Sequence, residues 1–399
     1  MRVLFPLLLL STLCFGQYKN DNVLYKTVYV EDFCKQFKST PNALLLDVRS
    51  QGEYDDTSTS SGLNIGRLNA NKHISIQELP ARWKELAEYK DKPIYVYCSH
   101  SQRSRRASKM LADSGFTNVI NINGGLTYLN MINIQQVCTD MYSTGNTYKL
   151  ISPFDLCNFL TASKDVVILD VRKDSAFNHI STDERLNAQG RLKNTLHISL
   201  ADLQKSTEKV PKNKKILVID DFGTDAAIAA KLLSSGGWKD VNVLFNGLET
   251  MITADKKSLG CVNQYWSNNL PYKTVTAIEF DELAKKEKVQ LLDVRVAEEF
   301  NNQSKTQWRN IGNIKSAINI PEPELKNNLS LIAKDAPVVI YHFGNSPESY
   351  RAAKLLADAG YKKVYVLSGG LFNLRWQAAN LKGKAVLKDW VVNVPAENL

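Results

Sequence analysis

One cysteine stands among hydroxyls and cations, in the run Tyr97-Cys98-Ser99-His100-Ser101-Gln102-Arg103-Ser104-Arg105-Arg106. Neighbouring arginines favour the thiolate of a cysteine, and the thiolate is the reactive form. A thiolate ringed by N–H and O–H donors is a nucleophile whose covalent product can also be held as an anion. That chemistry makes Cys98 the candidate nucleophile. Ser99, His100, Ser101, Gln102, Arg103 and Ser104 are the candidate binding residues. The competing reading is that Cys98 is a small buried residue at a strand end, a common fate of free cysteine.

Two elements must position this run. The apolar stretch Pro93-Ile94-Tyr95-Val96-Tyr97 reads as a strand, and Ala107 to Ser114, closed by Gly115, reads as a helix. Cys98 then falls at the carboxyl end of a strand, where open α/β sheets bind ligands. The following residues open a helix, whose N-terminus carries unpaired N–H groups and partial positive charge.

The surrounding chain repeats three times. Leu45-Leu46-Asp47-Val48-Arg49 recurs as Ile168-Leu169-Asp170-Val171-Arg172 and as Leu291-Leu292-Asp293-Val294-Arg295, each 123 residues further on. Gly66-Arg67-Leu68 recurs as Gly190-Arg191-Leu192 and Gly312-Asn313-Ile314. Asn123-Gly124-Gly125-Leu126 recurs as Asn246-Gly247-Leu248 and Ser368-Gly369-Gly370-Leu371. The period is too long for a solenoid and fits tandem globular domains. In the first unit Ala43–Val48, Ile94–Tyr97 and Asn118–Ile122 read as strands, and Ile76–Tyr89 and Arg103–Ser114 as helices. That alternation predicts an α/β fold with a mainly parallel sheet covered on both faces. The expected division is a signal peptide over 1–16 and domains over 17–145, 146–268 and 269–399.

The spacing Cys-x-x-x-x-Arg-Ser, with the Asp-Val-Arg and Gly-x-Ile-type landmarks, resembles the rhodanese family of sulfurtransferases across nearly the whole chain after residue 16. The resemblance implies three tandem rhodanese-like domains, Cys98 as carrier of a persulfide sulfur, and Arg103 as an anion-binding and loop-closing residue. It places Asp47 near the loop. Family loops often carry glycine where this chain has Ser101. Because all three units keep Asp-Val-Arg, Asp47 and Arg49 read as supporting residues that tie a strand end by an ion pair. Arg67 is a further supporting candidate that faces either the pocket or the fold.

The other two units lack the cysteine. Strand and helix alignment put Asp220 at its position in the second unit and Asp225 at that of Arg103. A carboxylate carries no persulfide. The loop Asp220-Asp221-Phe222-Gly223-Thr224-Asp225 reads as a solvated acidic loop, with a cation site as the alternative. The third loop, His342-Phe343-Gly344-Asn345-Ser346-Pro347-Glu348, is one residue longer; strand alignment puts His342 at the cysteine position and helix alignment puts Phe343 there.

Cys34 and Cys157 are 123 residues apart, as are Cys138 and Cys261, and the third unit has neither member. Joint gain or loss is the mark of a bond within each unit, so disulfides Cys34–Cys138 and Cys157–Cys261 are expected, leaving Cys98 free. Unpaired buried thiols and a cross-unit bond such as Cys138–Cys157 are the alternatives.

Met1 to Gly16 reads as a cleaved secretory signal: Arg2, an apolar run Val3 to Leu13 too short for a span, then Cys14-Phe15-Gly16. Leu13 before Cys14 disfavours a lipoprotein. A periplasmic or secreted protein is expected. The formal net charge is +9, spread through lysines mixed with acids, and no basic block or aromatic ladder points to nucleic acid. No Cys-x-x-Cys and only scattered histidines speak against a metal site.

The expected function is movement of sulfane sulfur from a thiosulfate-like anionic donor, through a persulfide on Cys98, to a thiophilic acceptor such as a thiol, cyanide or a protein. It calls for no cofactor. Related folds act on oxyanions as cysteine phosphatases or arsenate reductases, but their loops place five residues between cysteine and arginine; here there are four. The non-enzyme alternative is a rhodanese-fold binding or scaffold protein of the cell envelope, with protein partners at the second and third domains.

Overall fold

The computed structural model describes residues 23–69, 72–162 and 165–395; the expected signal segment lies outside them. Three five-stranded sheets follow one another. In the first, the spatial order is Lys26–Tyr29, Val119–Asn123, Ile94–Tyr97, Leu44–Asp47, Lys72–His73, every pair parallel. The second repeats that order with Lys149–Ile151, Val241–Leu244, Lys215–Ile219, Val166–Asp170 and Thr195–His197. The third does so with Lys273–Val275, Val364–Leu367, Val338–Tyr341, Gln290–Asp293 and Ile318–Asn319. A two-stranded antiparallel ribbon completes each unit: Arg67–Leu68 with Tyr142–Ser143, Arg191–Leu192 with Trp266–Ser267, and Asn313–Ile314 with Val391–Val392.

The central strands are apolar throughout because helices cover both faces. Leu44, Leu45, Leu46, Ile94, Val96 and Tyr97 are all essentially inaccessible. The expected strands are present within one residue of their ends. The expected helix over Ile76–Tyr89 is instead a single α-turn, Leu79–Arg82, followed by a 3-10 segment, Trp83–Tyr89. Pro80 sits in the first turn, where its missing N–H costs nothing; Ile76, Leu79 and Leu86 are buried, with Trp83 and Tyr89 packed against the same core.

Disulfides Cys34–Cys138 and Cys157–Cys261 are present, each joining Cα atoms under 6 Å apart, at 5.7 and 5.6 Å. Each ties the unit's first helix to the segment just ahead of its ribbon. Closing loops of this length removes about 4–5 kcal/mol of unfolded-chain entropy in the chain-entropy model.

The units also cover one another in a repeated way. The turn Ser61–Leu63 of the first packs on the helix Thr224–Ser235 that follows the second unit's loop, with Gly62 against Thr224. The equivalent helix Glu184–Ala188 of the second packs on Pro347–Asp358 of the third, and Arg185 donates to Asn345 O at 3.3 Å. The loop of the first unit is covered differently. Helix Gly370–Asn380 of the third unit packs there instead: Trp376 Nε1 donates to His100 O at 3.1 Å, and Arg105 and Asn123 both donate to Ala379 O.

Candidate functional site

Cys98 follows strand Ile94–Tyr97 and precedes helix Gln102–Asp113, as the sequence requires. Its side chain is 1% exposed, and it is the one cysteine among the described residues outside a disulfide. Sγ lies 3.6 Å from Ser104 Oγ, which donates to Ser101 O at 3.1 Å. The backbone of the run is fixed from behind. Leu126 N donates to Cys98 O and Thr127 N to Ser99 O. A Cβ on Gly125 would come within 2.5 Å of both carbonyls, so that position requires glycine.

Ser101 caps the helix with φ +74°, a left-handed conformation that favours glycine. The side chain compensates: Ser101 Oγ accepts from Gly124 N at 2.6 Å, locking the loop to the next strand–helix turn. Serine here anchors the loop where glycine would only permit it. The second unit has Gly223 at the same place with φ +84°.

Arg103 is held rather than free. Its two terminal nitrogens meet the Glu53 carboxylate at 2.5 and 2.6 Å, and Nη2 also donates to Ser99 Oγ at 3.0 Å. Ser99 Oγ donates to Glu53 Oε1 at 2.9 Å. Glu53, 3% exposed, is itself fixed by a capping box with Ser50. Burial pushes its carboxyl up, but bonds from Arg103 and Ser50 outweigh that and bring it down to about 2. Arg103 therefore closes the loop with its charge matched by Glu53.

In the second unit the amides of the equivalent loop meet a carboxylate. Asp220, at the cysteine position, is 3% exposed. Its carboxylate accepts from Gly223 N at 2.5 Å, Asp225 N at 2.7 Å and Ala226 N at 3.1 Å. Ser101, Arg103 and Ser104 are the equivalent positions of the first loop. The expected solvated acidic loop is thus corrected: Asp220 turns inward because three N–H groups satisfy its carboxylate, and it fills its own anion cradle. Burial nevertheless raises Asp220 to about 6 and Asp221 to about 7, the latter opposed by Arg172. In the third unit Leu371 N donates to His342 O and Phe372 N to Phe343 O, the pattern that Leu126 and Thr127 make in the first. His342, not Phe343, stands in the place of Cys98.

Asp47 and Arg49 are completely buried and paired, with Nη2 to Oδ2 at 2.8 Å and the Arg49 amide to Oδ1 at 2.9 Å. Asp170–Arg172 and Asp293–Arg295 repeat the pair. It ties the end of the strand beside Tyr97 and explains why cysteine-free units keep it. Arg67 donates to Tyr54 O at 2.9 Å and covers the Tyr54 ring, as Arg191 covers Phe177. His100 and Gln102 point outward, into a cavity of about 480 Å³ between the three units. His100 Nε2 is 3.2 Å from Thr127 Oγ1.

Glu53 was not among the sequence candidates. The signal for it lies in the repeat: Glu299 is its counterpart in the third unit, whereas the second has Ala176 and has also exchanged Arg103 for Asp225. In the second unit the carboxylate and the arginine are both gone; the third keeps Glu299 without a loop arginine and pairs it with Arg309.

A cysteine at a strand end inside a loop of amides, on a five-stranded parallel sheet, defines a class. The rhodanese-like domain model matches residues 31–130, 157–253 and 276–378, more than half of the chain, and the protein belongs to that family. Among similar curated proteins, thiosulfate sulfurtransferase GlpE of Coxiella burnetii is 33% identical over 103 residues, 26% of this chain and 86% of that protein. Uncharacterized protein YqhL of Bacillus subtilis is 31% identical over 110 residues, 28% of this chain and 76% of its own length. A crystal structure of thiosulfate sulfurtransferase from Pseudomonas aeruginosa aligns over 86% of this chain and 66% of that one, at 16% identity and TM-score 0.22.

Proposed function

We propose that the protein is a sulfurtransferase working through Cys98, with a thiosulfate-like anion as donor. The observation that carries this reading is the cradle: a loop whose equivalent in the second unit holds a carboxylate on three amides surrounds a thiol in the first. The Cys98 thiolate attacks the outer sulfur of thiosulfate. The sulfur–sulfur bond of the donor breaks, and sulfite leaves with the electron pair. The new Cys98 persulfide is an anion, and amides at Ser101, Arg103 and Ser104 stabilise it. A thiophilic acceptor then attacks the outer sulfur, and the pair of the breaking bond returns to Cys98 as thiolate. Neither step requires a cofactor.

The similarity to thiosulfate sulfurtransferase GlpE supports the choice of donor. The loop length argues against phosphatase or arsenate reductase chemistry, and Glu53 adds to this by engaging the arginine that a tetrahedral oxyanion would need. Two disulfides fit an oxidising compartment, in keeping with a periplasmic or secreted protein. The second and third units act as accessory domains; no helix among the described residues is long and apolar enough to cross a membrane. The test is release of thiocyanate from thiosulfate and cyanide. Wild type turns over and Cys98→Ser does not; equal activity in the two proteins contradicts the proposal.

A further inference from the structure

The reading of Cys98 as a sulfur carrier leaves the acceptor open, and the cavity between the units bears on it. Its volume, about 480 Å³, is in the range of sites for small organic molecules and far beyond the needs of cyanide. All three units line it: Gln102 and His100 from the rim of the Cys98 loop, Thr250 and Thr253 from the second unit, and Phe372 and Trp376 from the third. Of the loop, His100 and Gln102, two and four residues beyond Cys98, line the cavity, so a molecule bound there lies against the loop that holds Sγ.

The third unit contributes an aromatic run. Trp308, 61% exposed, meets Phe343 with ring centroids 5.2 Å apart, and Phe343 meets Phe372 at 5.7 Å. Phe372 and Trp376 are one turn apart on helix Gly370–Asn380, and Trp376 reaches the Tyr128 ring of the first unit at 6.4 Å. Of these rings Phe372, Trp376 and Tyr128 line the cavity, and Trp376 also holds the loop carbonyl His100 O. Aromatic faces bind planar apolar groups, and the N-terminus of helix Gln102–Asp113 favours a thiolate at the far end.

We propose that this cavity is the acceptor site, that its ligand is a small organic thiol with a planar, apolar body, and that Trp376 is the residue that sets acceptor preference. The ring system lies on Phe372 and Trp376. The thiolate attacks the outer sulfur of the Cys98 persulfide, the Sγ–S bond breaks with its electron pair on Cys98, and the acceptor leaves as its own persulfide.

The experiment uses the full chain loaded with thiosulfate, with discharge to 2-naphthalenethiol and to cyanide followed in the same protein. The quantity read is the ratio of the two rate constants. Thr253→Trp, which fills the cavity, and Trp376→Ala should each lower that ratio by about tenfold or more. Trp376→Phe, which keeps a ring but loses the bond to His100 O, should retain most of it. Ratios within roughly twofold of wild type in both Thr253→Trp and Trp376→Ala overturn the proposal. Calorimetric binding of 2-naphthol, which carries no thiol, provides a readout independent of loading. Binding lost in Thr253→Trp supports the site even if Cys98 never loads, an outcome that would count against the carrier reading alone; no binding to wild type counts against the site.

Discussion

Glu53 and Arg103 form the pair on which the Cys98 loop closes, their side chains joined by two bonds of 2.5 and 2.6 Å across 50 positions of sequence. Breaking a buried pair leaves an unmatched charge, and with Arg103 one quarter exposed the cost should be about 2 kcal/mol, below that of a fully buried pair. Glu53→Gln should lower stability by that amount in urea and slow persulfide formation by about tenfold or more, because Ser99 and Arg103 lose their common anchor. In a double-mutant cycle with Arg103→Gln, additive losses contradict the coupling.

The same pair gives a pH signature. Glu53 titrates at about 2 in the folded protein, below an ordinary glutamate. Its contribution is complete above the unfolded value of about 4.3 and is lost as pH falls toward about 2. Unfolding free energy measured between those limits should fall more steeply in wild type than in Glu53→Gln. Parallel curves contradict this.

Asp221 gives the opposite slope. Burial raises it to about 7, so the folded protein binds its proton more tightly than the unfolded chain does. Stability from this group is complete below about pH 3.9 and is lost as pH rises through about 7. Asp221→Asn should therefore raise the melting temperature by a few degrees at pH 8 and change it little at pH 4. A rise confined to acid pH contradicts the assignment.

Ser101 combines a strained backbone with a compensating bond. Ser101→Gly relieves about 1 kcal/mol of left-handed strain and loses a hydrogen bond of about 1 kcal/mol, so it should be nearly neutral. Ser101→Ala loses the same bond but keeps the strain, so it should be about 1 kcal/mol less stable than both wild type and Ser101→Gly. Chemical denaturation of wild type and both variants separates these outcomes: Ser101→Ala as stable as wild type contradicts the role given to Oγ, and equal stability of the two variants contradicts the strain.

Much of this arrangement is legible in the sequence. The apolar run before Cys98 and the helix after it obey local rules, and the 123-residue period makes the cysteine pairs visible without coordinates. Three features escape a local reading. Glu53 is distant in sequence from the loop it closes, so only the joint loss of Glu and Arg in the second unit marks it. Asp220 looks like a solvated acid because composition carries no trace of the three amides that satisfy it. The contact of Trp376 with His100 depends on how whole units pack, which no periodicity encodes.

The most direct measurement is intact mass after incubation with thiosulfate, for wild type and Cys98→Ser, before and after cyanide. The account predicts a gain of one sulfur, about 32 Da, in wild type alone, removed by cyanide. No gain in a wild-type protein whose Cys98 is shown free by alkylation, or an equal gain in Cys98→Ser, would contradict the sulfur-carrier role.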